Sequence, residues 1–144
     1  MIRERVVPIR GDLVLEGLGL DPKVRSQLIE EVNVIFNTAA SINFDDPIRE
    51  ALMINYFGAR RVLDLAHECK RLSVLHHVST AYVSSNMPTG TTAMEEIVPF
   101  SGNWEEMIDT LMRMEPQKLE SYEPIILKKH GFANTYTMTK NLAE

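Results

Sequence analysis

One cysteine, Cys69, stands among 144 residues. No internal disulfide can form, so packing must hold the chain and a reducing compartment is the simpler expectation. Positive charge is also short, because 15 Lys and Arg against 20 Asp and Glu leave a formal net charge of −5. That balance offers no electrostatic footprint for nucleic acid or for an anionic membrane surface, and neither is expected as a partner. Long apolar runs are missing: stretches such as Val32 to Phe36 fall far short of the roughly 18 residues that span a bilayer, and no signal-peptide core opens the chain. Metal-ligand spacing is missing as well. His76 and His77 are adjacent on a predicted strand and point to opposite faces, while His67 and His130 have no companion, so no metal site is expected. None of the seven glycines makes a glycine-rich phosphate turn. There is no internal repeat and no low-complexity segment. What remains is an intracellular, soluble chain of single-domain length, whose 44% hydrophobic content suffices to bury a core.

The patterning reads as alternating strands and helices. Val6-Val7-Pro8-Ile9 predicts a strand that runs into a turn, with Asp12 at its end. Asp21 as N-cap and Pro22 at the first helical position announce a helix with Val24, Leu28 and Val32 on one stripe. Val32 to Asn37 is a β-branched, mostly apolar strand of the buried parallel kind, closed by the small residues Thr38-Ala39-Ala40-Ser41. Pro47 to Lys70 carries the longest helical pattern, and Val74 to Val78 a third strand that leads into Ser79-Thr80. Ser84 to Gly102 reads as a long surface excursion; Asn103, with Glu106 three residues on, opens a helix that Pro116 is expected to end. After Pro124 a short apolar turn is expected, and then a last helix capped by Asn134. The order predicts an α/β, doubly wound parallel sheet.

Three features of this pattern point to chemistry. Tyr136 and Lys140 stand four apart, so on a helix both side chains share one face about 5–6 Å apart at Cβ. An ammonium beside a phenol favours the phenolate and brings its pKa down from about 10, which suits Tyr136 to protonating a carbonyl oxygen as hydride arrives at carbon. The plain alternative is a solvated helix face. Asn55 falls on the apolar stripe of the Pro47 to Lys70 helix, where an amide must find partners or cost about 1–3 kcal/mol; it is either a relay or a satisfied core asparagine. Ser79 and Thr80 sit at the carboxyl end of a strand, the edge where open α/β sheets bind ligands, or else they tie down a turn.

Taken together, Asp12, Thr38-Ala39-Ala40, Asn55, Ser79-Thr80 and Tyr136 with Lys140 resemble, in order and spacing, the extended short-chain dehydrogenase/reductase family. The strings Val34-Ile35-Phe36-Asn37-Thr38-Ala39-Ala40, His77-Val78-Ser79-Thr80-Ala81-Tyr82-Val83 and Asn134 to Glu144 are similar to segments of fatty acyl-CoA reductases, as is the long insert between Val83 and Asn134. The resemblance implies a catalytic set of Tyr136, Lys140, Thr80 and Asn55, with Tyr136 as proton donor and Thr80 on the substrate carbonyl. Lys140 would then also hold the nicotinamide ribose, and Asn55 would serve a proton-relay water. It further implies cofactor contacts at Asp12 and Leu13, Thr38, Ala39, Ala40, Asn55, Ser79, Tyr136 and Lys140. The cofactor implied is NADPH and the substrate a long-chain fatty acyl-CoA, reduced through an aldehyde to a fatty alcohol. An extended reductase or epimerase acting on a nucleotide sugar, and a non-catalytic remnant, remain as alternatives.

Relative to that family the chain is expected to be a single partial NAD(P)-binding domain, 1–144, truncated at both ends. The Gly-x-x-Gly-x-x-Gly turn would precede Val6, and the last strands would follow Glu144. In the order 3-2-1-4-5-6 the strand at Val6 would lie beyond two absent strands from that at Val32, so the isolated chain is expected neither to fold natively alone nor to turn over.

Overall fold

The computed structural model describes residues 5–144, whose contacts divide between two units: 5–39 with Phe57–Val78, and Ala40–Tyr56 with Ser79–Glu144. The first unit holds the sheet. Strands β1 (Val34–Asn37) and β2 (Val74–His77) pair in parallel, with Val34 opposite Val74 and Asn37 opposite His77. Helix α1 (Pro22–Glu31) begins where its sequence says it should: Asp21 Oδ1 accepts from the backbone N–H groups of Lys23 (2.9 Å) and Val24 (3.3 Å), and Pro22 occupies the first position, where its missing N–H costs nothing. Helix α3 (Phe57–Glu68) lies against α1 and both strands. Arg25 on α1 grips the Glu68 carboxylate with both terminal nitrogens, at 2.7 and 2.6 Å. A Cβ on Gly58 would meet Leu13 Cβ at 3.2 Å, tighter than an ordinary contact, so a larger residue there would have to push the Leu13 side chain aside by a few tenths of an ångström. Arg61 Nη1 donates to the Leu13 carbonyl at 2.9 Å.

The expected first strand is not formed. Val6 to Ile9 belong to no strand, and Val7 stays 78% exposed. A strand exists only with a neighbour to bond, and Pro8 removes one donor from this one.

The second unit is helical. Helix α2 (Ile48–Ala51) passes into a π turn (Leu52–Tyr56), the wider winding in which one extra residue is accommodated. Helix α4 (Trp104–Arg113) starts at Asn103, whose Oδ1 accepts from the Glu106 N–H at 3.2 Å while its amide nitrogen donates to the Glu106 carboxylate. Pro116 does not simply end α4; it opens a further helix, α5 (Pro116–His130), which the sequence reading lacked. Two prolines hid it. Glu115 ahead of Pro116 takes the extended conformation that a residue before proline prefers, and Pro124 sits inside the helix at the cost of one backbone bond. Leu119 and Ile126, both buried, flank that position, and Gly131 at φ 79° closes α5, with the Phe132 N–H reaching the Leu127 carbonyl. Helix α6 (Thr135–Ala143), capped by Asn134 through its bond to the Thr137 N–H (2.9 Å), packs on α2 and the π turn. Ile48, Leu52, Leu111, Ile126 and Met138 form the fully buried core of this unit.

Charged caps fasten the α4–α5 insert to α2. The Glu123 carboxylate accepts from the Ile48 N–H at 2.8 Å, and Arg49 Nη2 donates to the carbonyls of Leu111 (2.9 Å) and Met114 at the end of α4. Arg49→Met keeps the apolar stem and removes both bonds. In this protein it should cost about 2 kcal/mol in urea unfolding; an unchanged midpoint would show that the cap contributes nothing.

Candidate active site

Helix α6 is buried along almost its whole length, from Thr135 to Asn141. Tyr136 (8% exposed) and Lys140 (3%) lie one turn apart on it, so both side chains are held within protein and neither is part of a solvated face. Burial pushes the Lys140 ammonium below its ordinary 10.5, while the Glu144 carboxylate acts the other way.

Asn55, in the π turn, is 3% exposed, and its amide has found the partners that the apolar stripe withheld. Oδ1 accepts from the Ser41 N–H at 2.8 Å, and Nδ2 donates to Thr139 Oγ1 at 3.0 Å. The bonds continue into a closed ring. Thr139 Oγ1 donates to the Thr135 carbonyl (2.8 Å), Thr135 Oγ1 donates to the Asp46 carbonyl (2.7 Å), and Ser41 Oγ donates to the Asp46 carboxylate. Asn43 Nδ2 adds a further bond to Asp46 at 2.7 Å. Three segments, the 41–46 loop, the π turn and α6, are thereby fixed to one another around the helix that carries Tyr136 and Lys140. Ser41, Asp46, Thr135 and Thr139 were not anticipated. The available signal was the spacing of Thr135 and Thr139, one turn apart on a helix otherwise read for Tyr136 and Lys140.

Thr80 caps a short 3-10 turn (Ala81–Ser84), its Oγ1 accepting from the Tyr82 N–H at 3.3 Å. That turn packs on α6, and Asn141 Nδ2 donates to the Val83 carbonyl at 3.1 Å. Thr80, Asn55, Tyr136 and Lys140 thus all belong to the second unit, together with Ala40 and Ser79. Asp12, Leu13, Thr38 and Ala39 belong to the first. Asp12 is exposed and closes its own turn, Oδ1 accepting from the Val14 N–H at 3.0 Å. Leu13, Thr38 and Ala39 line one largely apolar cavity of about 360 Å³ with Leu18, Val32 and Leu65; Asp12 does not reach it.

The cavity touching Leu13, Thr38 and Ala39 lies within the first unit and is walled mainly by apolar side chains of α1, β1 and α3. Ser79 Oγ is buried with no hydrogen-bond partner among the described residues, which leaves a donor and acceptor for a polar ligand. Among the described residues no group of three or more His, Cys, Asp and Glu is placed to hold a metal, and no helix is long and apolar enough to cross a membrane.

A parallel strand pair flanked by helices, with a buried Tyr and Lys on a single helix, defines an α/β segment of the Rossmann-like, NAD-binding class. The chain belongs to the NAD-binding family described as Male sterility protein, whose model matches residues 1–144. It is similar to a Drosophila melanogaster protein assigned as a fatty acyl-CoA reductase (CG8306), at 41% identity over 140 residues, 97% of this chain and 26% of that one. Fatty acyl-CoA reductase 8 of Arabidopsis thaliana is 33% identical over 165 residues, 100% of this chain and 33% of that protein. Fatty acyl-CoA reductase 1 of Gallus gallus is 33% identical over 143 residues, 99% and 27% of the two chains. The chain therefore spans about a quarter to a third of the length of the curated relatives it matches. Among solved structures, the terminal R domain from the myxalamid PKS-NRPS biosynthetic pathway matches with a TM-score of 0.62 and 27% identity, over 99% of this chain and 29% of that one.

Lys140 yields a prediction with a definite sign. Its lowered folded value means that the folded state holds fewer protons than the unfolded state between that value and 10.5, so stability rises with pH through that window. Urea unfolding of this protein should show wild type gaining on Lys140→Met as pH climbs towards about 10. Parallel curves for the two proteins would show that the ammonium is not desolvated.

Proposed function

We propose that this chain is the segment of a fatty acyl-CoA reductase that carries its proton-donating face, and that it serves the NADPH-dependent reduction of a long-chain acyl thioester through the aldehyde to the alcohol. The observation that carries the reading is the burial of Tyr136 and Lys140 one turn apart on a helix locked by the Asn55 ring; the names of the relatives supply the substrate class.

Thr80 Oγ1 donates a hydrogen bond to the substrate carbonyl oxygen and orients it, and Tyr136 Oη delivers the proton that this oxygen needs as the carbon is reduced. Lys140, one turn along α6 from Tyr136, holds a ribose hydroxyl of the cofactor through its ammonium. Asn55 acts mainly by position, since its bonds to Ser41 and Thr139 set α6 against the π turn; any relay water would bond to capacity these two contacts leave over. Ser79, Thr38, Ala39, Ala40, Leu13 and Asp12 are the remaining cofactor contacts. When bound, the nicotinamide supplies hydride. In the first reduction a C–H bond forms at the thioester carbon from hydride, the C–S bond breaks, and the departing thiolate takes up a proton to leave as the CoA thiol with the aldehyde; the second adds hydride at carbon and a proton at oxygen to give the alcohol.

Tyr136→Phe removes one hydroxyl and leaves the ring packing. In the full-length enzyme it should lower acyl-CoA-dependent NADPH oxidation by about 10² to 10⁴, while NADPH affinity stays near that of wild type. Retention of most of the turnover would end the assignment.

A further inference from the structure

We propose that Phe44 and Tyr82 form the first apolar wall of the acyl-chain channel, so that the substrate's hydrocarbon covers them; this rests on the reductase reading above. The Phe44 ring lies 5.2 Å from the Tyr136 ring at 31°, and 6.2 Å from the Tyr82 ring, edge-on. Both nevertheless remain open, Phe44 47% and Tyr82 57% exposed, as does Ile42 at 78%. Slack in the loop does not explain this. Ser41, Asn43 and Asp46 are bonded to one another, and Ser41 and Asp46 are bonded to Asn55 and Thr135, while the Phe44 carbonyl accepts from Thr135 Oγ1 at 3.4 Å. A loop so fixed presents large apolar groups to solvent at a standing cost, and contiguous exposed apolar surface marks a place where something apolar binds.

Two considerations select the acyl chain. The chain begins at the carbon whose oxygen Tyr136 serves, so its first methylenes leave the reacting centre beside the rings that touch Tyr136. The CoA end does not suit this place: segments 40–47 and 79–83 contain no Lys or Arg, and Asp45 and Asp46 would repel its phosphates. Charge sends the nucleotide elsewhere and leaves the hydrocarbon here.

The test uses two thioethers that cannot be reduced, S-hexadecyl-CoA and S-ethyl-CoA, titrated calorimetrically into the full-length enzyme. The ratio of their Kd values measures preference for the long chain. Phe44→Ala and Tyr82→Ala should each reduce that preference about tenfold, since each removes a ring from apolar contact, and Phe44→Leu should restore most of it. An equal weakening towards both ligands would mean that Phe44 only supports Tyr136; an unchanged ratio would mean that another part of the longer protein covers the rings. Either overturns the inference. Acyl-CoA reduction by wild type is measured alongside: activity with an unchanged ratio removes the acyl wall alone, whereas a wild type that neither reduces acyl-CoA nor binds either thioether removes the reductase reading with it.

Discussion

The second unit depends on one amide. Asn55 lies where the helix widens into a π turn, and its two hydrogen bonds join a loop that follows the sheet to the helix that bears Tyr136 and Lys140. A buried amide left unsatisfied costs about 1–3 kcal/mol, and the same low-dielectric surroundings strengthen bonds that are made. The ring through Ser41, Asn55, Thr139, Thr135 and Asp46 is therefore both a tether and a geometric constraint: a shift of α6 along its axis would break several bonds at once. That constraint explains how a helix with a lysine and several threonines can be buried almost throughout. Its threonine hydroxyls are spent on carbonyls and on Asn55.

The insert adds a second layer of fixation. Arg49 and Glu123 exchange caps between α2 and the α4–α5 pair, and the Tyr56 and Trp104 rings meet at 6.0 Å. The helix start that precedes Asn55 is thus satisfied by a residue of the insert, 75 positions away. A segment that looks peripheral in sequence stabilises the turn on which the central amide sits.

Much of this was legible in the sequence, and the exceptions have physical causes. Helix starts read well because capping is local: Asp21 with Pro22, Asn103 with Glu106, and Asn134 each bond within three residues, and each opens a helix where expected. β1 and β2 form where the short apolar runs placed them, but the burial expected of a parallel strand is not met. Val34, Phe36 and Val74 are 44%, 70% and 48% exposed, because only two strands pair among the described residues and a face without a covering layer stays open. Helix α5 was missed because Pro116 and Pro124 were taken as breakers, when one begins the helix and the other is carried by flanking burial. The strand at Val6 was over-read, since a strand needs a partner that local pattern does not supply. For the site, the anomaly at Asn55 correctly announced that partners must exist, but which ones was invisible: Thr139 is 84 residues away, and Thr135 and Asp46 are 89 apart. Side-chain bonds over such distances leave no periodic trace.

The most direct test of this account is a double-mutant cycle between Asn55→Ala and Thr139→Val in this protein, read as urea stability and as turnover. The account predicts a coupling of about 1 kcal/mol or more, with each single variant losing turnover and the double variant losing little beyond the worse single one. Additive stability losses, or turnover per folded molecule untouched by either change, would contradict it, because α6 would then be held by packing alone and the amide would be incidental to the site.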